Sequence, residues 1–182
     1  DLFVGQNEQR DMVRLFGGQV LSQALKAACT TVDDDRAPHS LHAYFLRAGD
    51  PGRPVLYEVD RIRDGRSFTT RRVVAIQDGK AILNLAVSFQ VSEEGMTHSL
   101  QMPNVPPPEE LEDDLERVAR EPKDNPRLGA GSFKDRAFEM RHVIAPWEDG
   151  DRMFSPAWMR FKEPVDGSDQ ALAYSILAYA SD

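Results

Sequence analysis

The chain has 182 residues, 41% hydrophobic and 29% charged, with a formal net charge of −8. That is enough apolar material for the core of one large domain or two small ones. The acidic balance argues against a general nucleic-acid or anionic-membrane binder, which needs a positive field, but leaves room for an anionic ligand at a local arginine cluster.

Residues 17–32, GGQVLSQALKAACTTV, predict a helix opened by two glycines. Val20, Leu21, Ala24, Leu25, Ala28 and Val32 recur at helical spacing, and polar residues are few, so this helix should be mostly buried against a sheet. It carries the single cysteine, Cys29, whose alanine-rich surroundings read as a packed side chain. One cysteine makes no internal disulfide and gives no sign of an oxidising compartment. A run of strands follows over 39–47, 55–63, 67–76 and 81–91. Asp64-Gly65 and Asp78-Gly79 separate the last three, which alternate, and Asp-Gly between alternating runs predicts antiparallel hairpins. Residues 1–91 thus read as one helix wrapped by a curved antiparallel sheet, an α+β hot-dog arrangement.

Residues 92–136 change character. Pro103, Pro106, Pro107 and Pro108 break any ladder, 109–120 predicts a short acidic surface helix, and Pro122, Pro126, Gly129 and Gly131 return to loop. This segment reads as a linker. Strands are expected again over 137–145 and 157–163, then a helix over 169–181 that is apolar on every side and should be buried. Its Gln170-Ala171-Leu172 repeats the Gln23-Ala24-Leu25 of the first helix, so 137–182 reads as the start of a second hot-dog repeat. The strands that should wrap this helix are missing, so either the sequence is a fragment or another chain supplies the cover. The start at Asp1, without an initiator Met, is consistent with residues missing upstream. No basic-flanked signal core is present, and no apolar run approaches the roughly 18–20 residues of a membrane span.

Several blocks carry a resemblance. Phe16-Gly17-Gly18-Gln19, the long HSLHAYFLRAGDP block from His39, Arg63-Asp64-Gly65-Arg66-Ser67-Phe68, Trp158-Met159-Arg160 and the terminal LAYASD resemble the acyl-CoA thioesterase II family over nearly the whole chain. The resemblance implies a double hot-dog fold and hydrolysis of fatty acyl-CoA without a covalent intermediate. It also implies that an Asp, a Ser or Thr, and a Gln hold the attacking water. The Asp carries over to Asp182, while the hydroxyl residue and the Gln have no counterpart in these 182 residues. It further implies a histidine near the site, carried over to His39.

The residues themselves add candidates. Asp182 suits a general base, since water attacking a thioester needs a carboxylate to take its proton. The first-turn amides of Gly17 and Gly18 could polarise a thioester oxygen, or the glycines could simply allow close packing. Arg63 and Arg66, in a cluster with Arg61, Arg71 and Arg72, suit the phosphates of CoA, or form a solvated edge. No cofactor is expected, CoA being part of the substrate, and no zinc or dinucleotide pattern is present. Acyl-CoA is the expected partner, with homo-oligomerisation and a cytoplasmic location, or a peroxisomal one in a eukaryote. The alternatives are a non-catalytic acyl-CoA-binding or assembly subunit, or another hot-dog enzyme such as a hydratase, whose Asp/His motif is not found.

Overall fold

The computed structural model describes residues 1–7, 13–121, 137–148 and 155–182. Two compact units form, residues 1–96 with 165–182, and residues 97–164.

In the first unit, a five-stranded antiparallel sheet has the order β1-β3-β4-β5-β2. Its strands are β1 (Leu2–Gly5), β2 (Arg36–Phe45), β3 (Val55–Asp64), β4 (Phe68–Gln77) and β5 (Lys80–Val91). β3, β4 and β5 form the expected meander. Asp78 and Gly79 both take positive φ, 49° and 71°, the pair of angles a two-residue hairpin turn needs. The Asp64-Gly65 turn is built differently: Gly65 N–H donates to Phe68 O at 2.9 Å, and Gly65 keeps negative φ. β2 skips β3 and pairs with β5 at the far side of the sheet. β1, too short to show alternation in sequence, edges β3.

Helix α1 (Gly17–Cys29) lies on this sheet with Val20, Leu21, Ala24, Leu25, Ala27 and Ala28 buried. Opposite it are Val55, Tyr57, Val59, Val73, Leu83, Leu85, Val87 and Phe89, none more than 2% exposed. Each such aliphatic side chain contributes about 1.5–3 kcal/mol on burial. The helix ends three residues earlier than its apolar pattern. The Thr30 and Thr31 hydroxyls turn back onto the Ala27 and Ala28 carbonyls, both at 2.8 Å, and compete with further helical bonds. This helix on this sheet is the hot-dog arrangement read from the sequence.

Helix α3 (Gln170–Ala180) belongs to the same unit and packs against α1. The sequence reading joined it instead to strands over 137–163. It also made α3 buried on all sides, and this is corrected: only Ser175 and Ala178 are buried, and Leu177 is 68% exposed. The sheet wraps α1, and among the described residues α1 covers one side of α3 while no strand wraps the other.

The second unit holds a short 3₁₀ turn (Pro108–Glu110), α2 (Asp114–Arg120) and the antiparallel pair β6 (Phe138–His142) and β7 (Ala157–Phe161). The expected helix over 109–120 divides because the Asp113 side chain accepts Leu115 N–H at 2.7 Å and caps a new start. Nor is α2 wholly a surface helix. Asp114 is 2% exposed, accepts His142 N–H at 3.1 Å and pairs with the His142 ring, while Arg117 donates to His142 O at 2.8 Å. The loop expected over 122–136 lies outside the described residues.

Candidate active site

The site is built on the N-terminus of α1. The first amides of a helix have no partner within the helix and are usually met by a polar residue at the cap. Here the cap is Phe16, which has no side chain to offer. Asp182, beyond the end of α3, takes that place: its Oδ2 accepts Gly18 N–H at 3.0 Å. Read along α3 alone, a carboxylate there meets the negative end of its own helix. In the fold it sits at the positive end of α1, where helix dipole and amide both favour it.

Two glycines make this approach possible. A Cβ on Gly17 would lie 2.8 Å from Asp182 Oδ2 and 2.9 Å from the Phe45 ring. A Cβ on Gly18 would lie 2.4 Å from the Tyr179 carbonyl oxygen. The aromatic pair Phe16–Tyr179, with centroids 4.9 Å apart, closes the same junction. At the other end of the helix pair, Lys26 Nζ donates to both oxygens of Asp169, at 3.0 and 2.9 Å. Asp169 also caps α3 by accepting Leu172 N–H at 2.8 Å. The Lys26 bond, then the Leu172 amide, hold the Asp169 carboxyl below its ordinary range. Gly18→Ala is therefore expected to cost about 1–3 kcal/mol by overpacking and to pull Asp182 off its amide. Melting temperature and any turnover should fall together; an unchanged value for both would show that the helices have room to part.

Asp182 and Gly17 line a cleft of about 620 Å³ with Leu15, Phe16, Val20, Phe45, Leu46 and Ile82. Arg14 and Arg47 complete its charged lining. Gly18 N–H is committed to Asp182, so of the two amides proposed to polarise a thioester oxygen, only that of Gly17 is left for this role. Ile82 is in the cleft because of a bulge: Ala75 pairs with Leu83 and Ile76 with Ala81, which leaves Ile82 unpaired and turned inward.

The remaining candidates lie elsewhere. His39 is the unpaired residue of a second bulge, between Pro38 and Ser40. It is exposed, shares a 2.9 Å hydrogen bond with Ser88 Oγ and meets the Phe68 ring at 5.7 Å. Arg63 and Arg66 flank the β3–β4 turn, also exposed. That turn is fixed to the C-terminal end of α1: buried Arg71 donates to Thr31 O, Thr31 Oγ1 and Asp64 Oδ1. A 13-residue helix is about 20 Å long. The expected residues therefore fall into two groups a helix length apart, Gly17, Gly18 and Asp182 at one end and His39, Arg63 and Arg66 at the other. The sequence reading missed Arg14, which lies in no regular element, and left Arg47 unassigned within the HSLHAYFLRAGDP block.

Cys29 stands half-buried near the Lys26–Asp169 pair. Burial pushes its thiol up to about 11, with Lys26 opposing and Asp169 adding to the rise. The unfolded thiol, at 9.0, releases its proton first. The contribution to stability is thus complete below about pH 9 and is lost as pH rises toward 11. Folded protein should react slowly with Ellman's reagent at pH 8, and the alkaline fall in melting temperature should be shallower in Cys29→Ala. Rapid labelling at pH 8 would contradict the burial argument. Among the described residues, no three His, Cys, Asp or Glu side chains come together to hold a metal, and no helix is long and apolar enough to cross a membrane.

The family model for the acyl-CoA thioesterase N-terminal domain matches residues 8–90. Human acyl-coenzyme A thioesterase 8 is 39% identical over 196 aligned residues that take in all of this chain and 60% of the relative. Over its whole length the chain is similar to the acyl-CoA thioesterase family. An acyl-CoA thioesterase II from Mycobacterium marinum is 33% identical, with a TM-score of 0.73 over 99% of this chain and 60% of that structure. A hot-dog-fold protein from Alicyclobacillus acidocaldarius, 21% identical, has a TM-score of 0.68 over 96% of this chain and 64% of that one, and shows the fold. The chain spans about three fifths of the length of these thioesterase relatives.

Proposed function

We propose that this chain provides the general base of a fatty acyl-CoA thioesterase. The carrying observation is that Asp182 lies at the N-terminus of α1, on a cleft, hydrogen-bonded through one oxygen to Gly18. In this reading the second oxygen faces a water. Water attacks the thioester carbonyl carbon while Asp182 takes its proton, and the Gly17 amide steadies the oxyanion. The tetrahedral intermediate collapses, the C–S bond breaks, and the thiolate of CoA leaves and is protonated. The hydroxyl residue and the glutamine implied by the family resemblance have no counterpart among these 182 residues. The reading assigns this chain the base and one amide donor. Homo-oligomerisation and a cytoplasmic or peroxisomal location belong to the same proposal. The test is thiol release across acyl-CoA substrates from short to long chains. Release of CoA is expected, and a protein that frees no thiol from any of them would overturn hydrolysis by this chain in favour of acyl-CoA binding alone.

A further inference from the structure

We infer that Arg14 and Arg47 form an anion anchor in the Asp182 cleft and take a phosphate of the CoA half of the substrate, an inference that rests on the thioesterase reading above. The cleft has three charged side chains, Arg14, Arg47 and Asp182, so its lining carries a net positive charge in a chain of net charge −8. Most arginines of this unit are already paired. Arg36 meets Asp33 and Asp35, Arg53 meets Asp50 and Asp78, Arg61 meets Asp1, Arg71 meets Asp64, and Arg72 meets Asp60. Among the described residues Arg14, Arg47, Arg63 and Arg66 make no ion pair, and of these only Arg14 and Arg47 line the cleft.

Both are brought there by main-chain bonds. Leu15 N–H donates to Gly49 O at 2.9 Å, and a Cβ on Gly49 would meet Leu15 Cδ1 at 2.8 Å, which ties the segment before α1 to the segment after β2. Leu46 and Arg47 both direct their amides at Ile82 O, at 2.8 and 3.3 Å. One guanidinium nitrogen of Arg47 donates to Ala81 O at 2.7 Å, which fixes the side chain and leaves its other donors free among the described residues. Both guanidinium groups line one cleft, and neither is bonded to the carboxylate there. A guanidinium fork matches a phosphate by two parallel hydrogen bonds. An acyl-CoA carries its phosphates and its thioester at opposite ends of the pantetheine arm, so a phosphate held at the arginines leaves that arm to reach toward the base.

The test is R14Q/R47Q, which removes both charges and keeps a polar side chain at each position. Binding of CoA by calorimetry and the ratio of kcat/KM for acyl-CoA over the matching acyl-pantetheine, which lacks the nucleotide phosphates, are read in both proteins. CoA affinity should fall about tenfold or more, as expected for losing charge-assisted bonds, and the preference for acyl-CoA should collapse. Arg47→Lys, which keeps the charge, should retain part of both, and guards against a double variant that melts early. Wild-type affinity and preference in the double variant would overturn the anchor and leave hydrolysis standing. Arginine-dependent CoA binding without thiol release would overturn hydrolysis and leave the anchor standing. A wild-type protein that does not bind CoA overturns the anchor outright.

Discussion

Asp182→Asn is expected to slow thioester hydrolysis about 10²- to 10⁴-fold, the range for losing a positioned general base. The substitution is nearly isosteric, and the amide oxygen of asparagine can still accept from Gly18 N–H, so the α1 terminus keeps its cap. What is lost is proton affinity. The effect should therefore fall on kcat, with melting temperature and CoA affinity held. A variant that hydrolyses acyl-CoA at the wild-type rate would remove Asp182 from the chemistry. A variant that melts well below wild type would show that the carboxylate is needed chiefly as a cap.

The largest effect on stability is expected at Arg71, whose side chain is only 1% exposed. Its guanidinium donates to five acceptors: Thr31 Oγ1, Thr31 O, Arg63 O, Thr70 O and Asp64 Oδ1. Those bonds use all five of its donors. Arg71→Met would strand the two buried acceptors of Thr31, at about 1–3 kcal/mol each, and leave the part-buried carbonyls of Arg63 and Thr70 to find other partners. Asp64 adds little, being 60% exposed and able to return to solvent. A total of about 3–5 kcal/mol is expected, in line with the breaking of a buried charged network. For a chain of this length that lowers the melting temperature by roughly 10 °C. Calorimetry that finds a shift of less than about two degrees would mean that the network is dispensable. Lysine is not a rescue, because one ammonium cannot span acceptors on both the end of α1 and the β3–β4 turn.

Much of the fold was legible because periodicity records which face is buried. The alternation in β3, β4 and β5 located those strands within two residues, and the small and apolar residues of α1 marked it as the covered helix. Bulges escaped. Ile82 is out of phase with Leu83 and Leu85 yet buried, and no pattern of period two shows that. For α3 the sequence showed that wrapping strands are missing but not which side α1 would cover, because composition tells how apolar a helix is and not where its partner lies. In the site, Gly17 and Gly18 could be singled out from the residues, and Asp182 from the family resemblance. Their junction depends on a long-range packing geometry that local sequence does not encode. Arg71 looked like one more member of a surface cluster. Its burial follows from strand phase, since it shares the inward face of β4 with Val73 and Ala75. Arg14 escaped because it stands in no patterned element, and Arg47 because it was read as the last residue of the strand over 39–47, whereas β2 ends at Phe45.

The bond between Gly18 and Asp182 joins positions 164 residues apart. A ribosome delivers the sheet and α1 long before it delivers that carboxylate. Nascent or clipped chains lacking the α3 region would leave the N-terminus of α1 without its carboxylate cap. On the proposed reading such species lack the base, so turnover per mole of a mixed preparation would understate that of the whole chain.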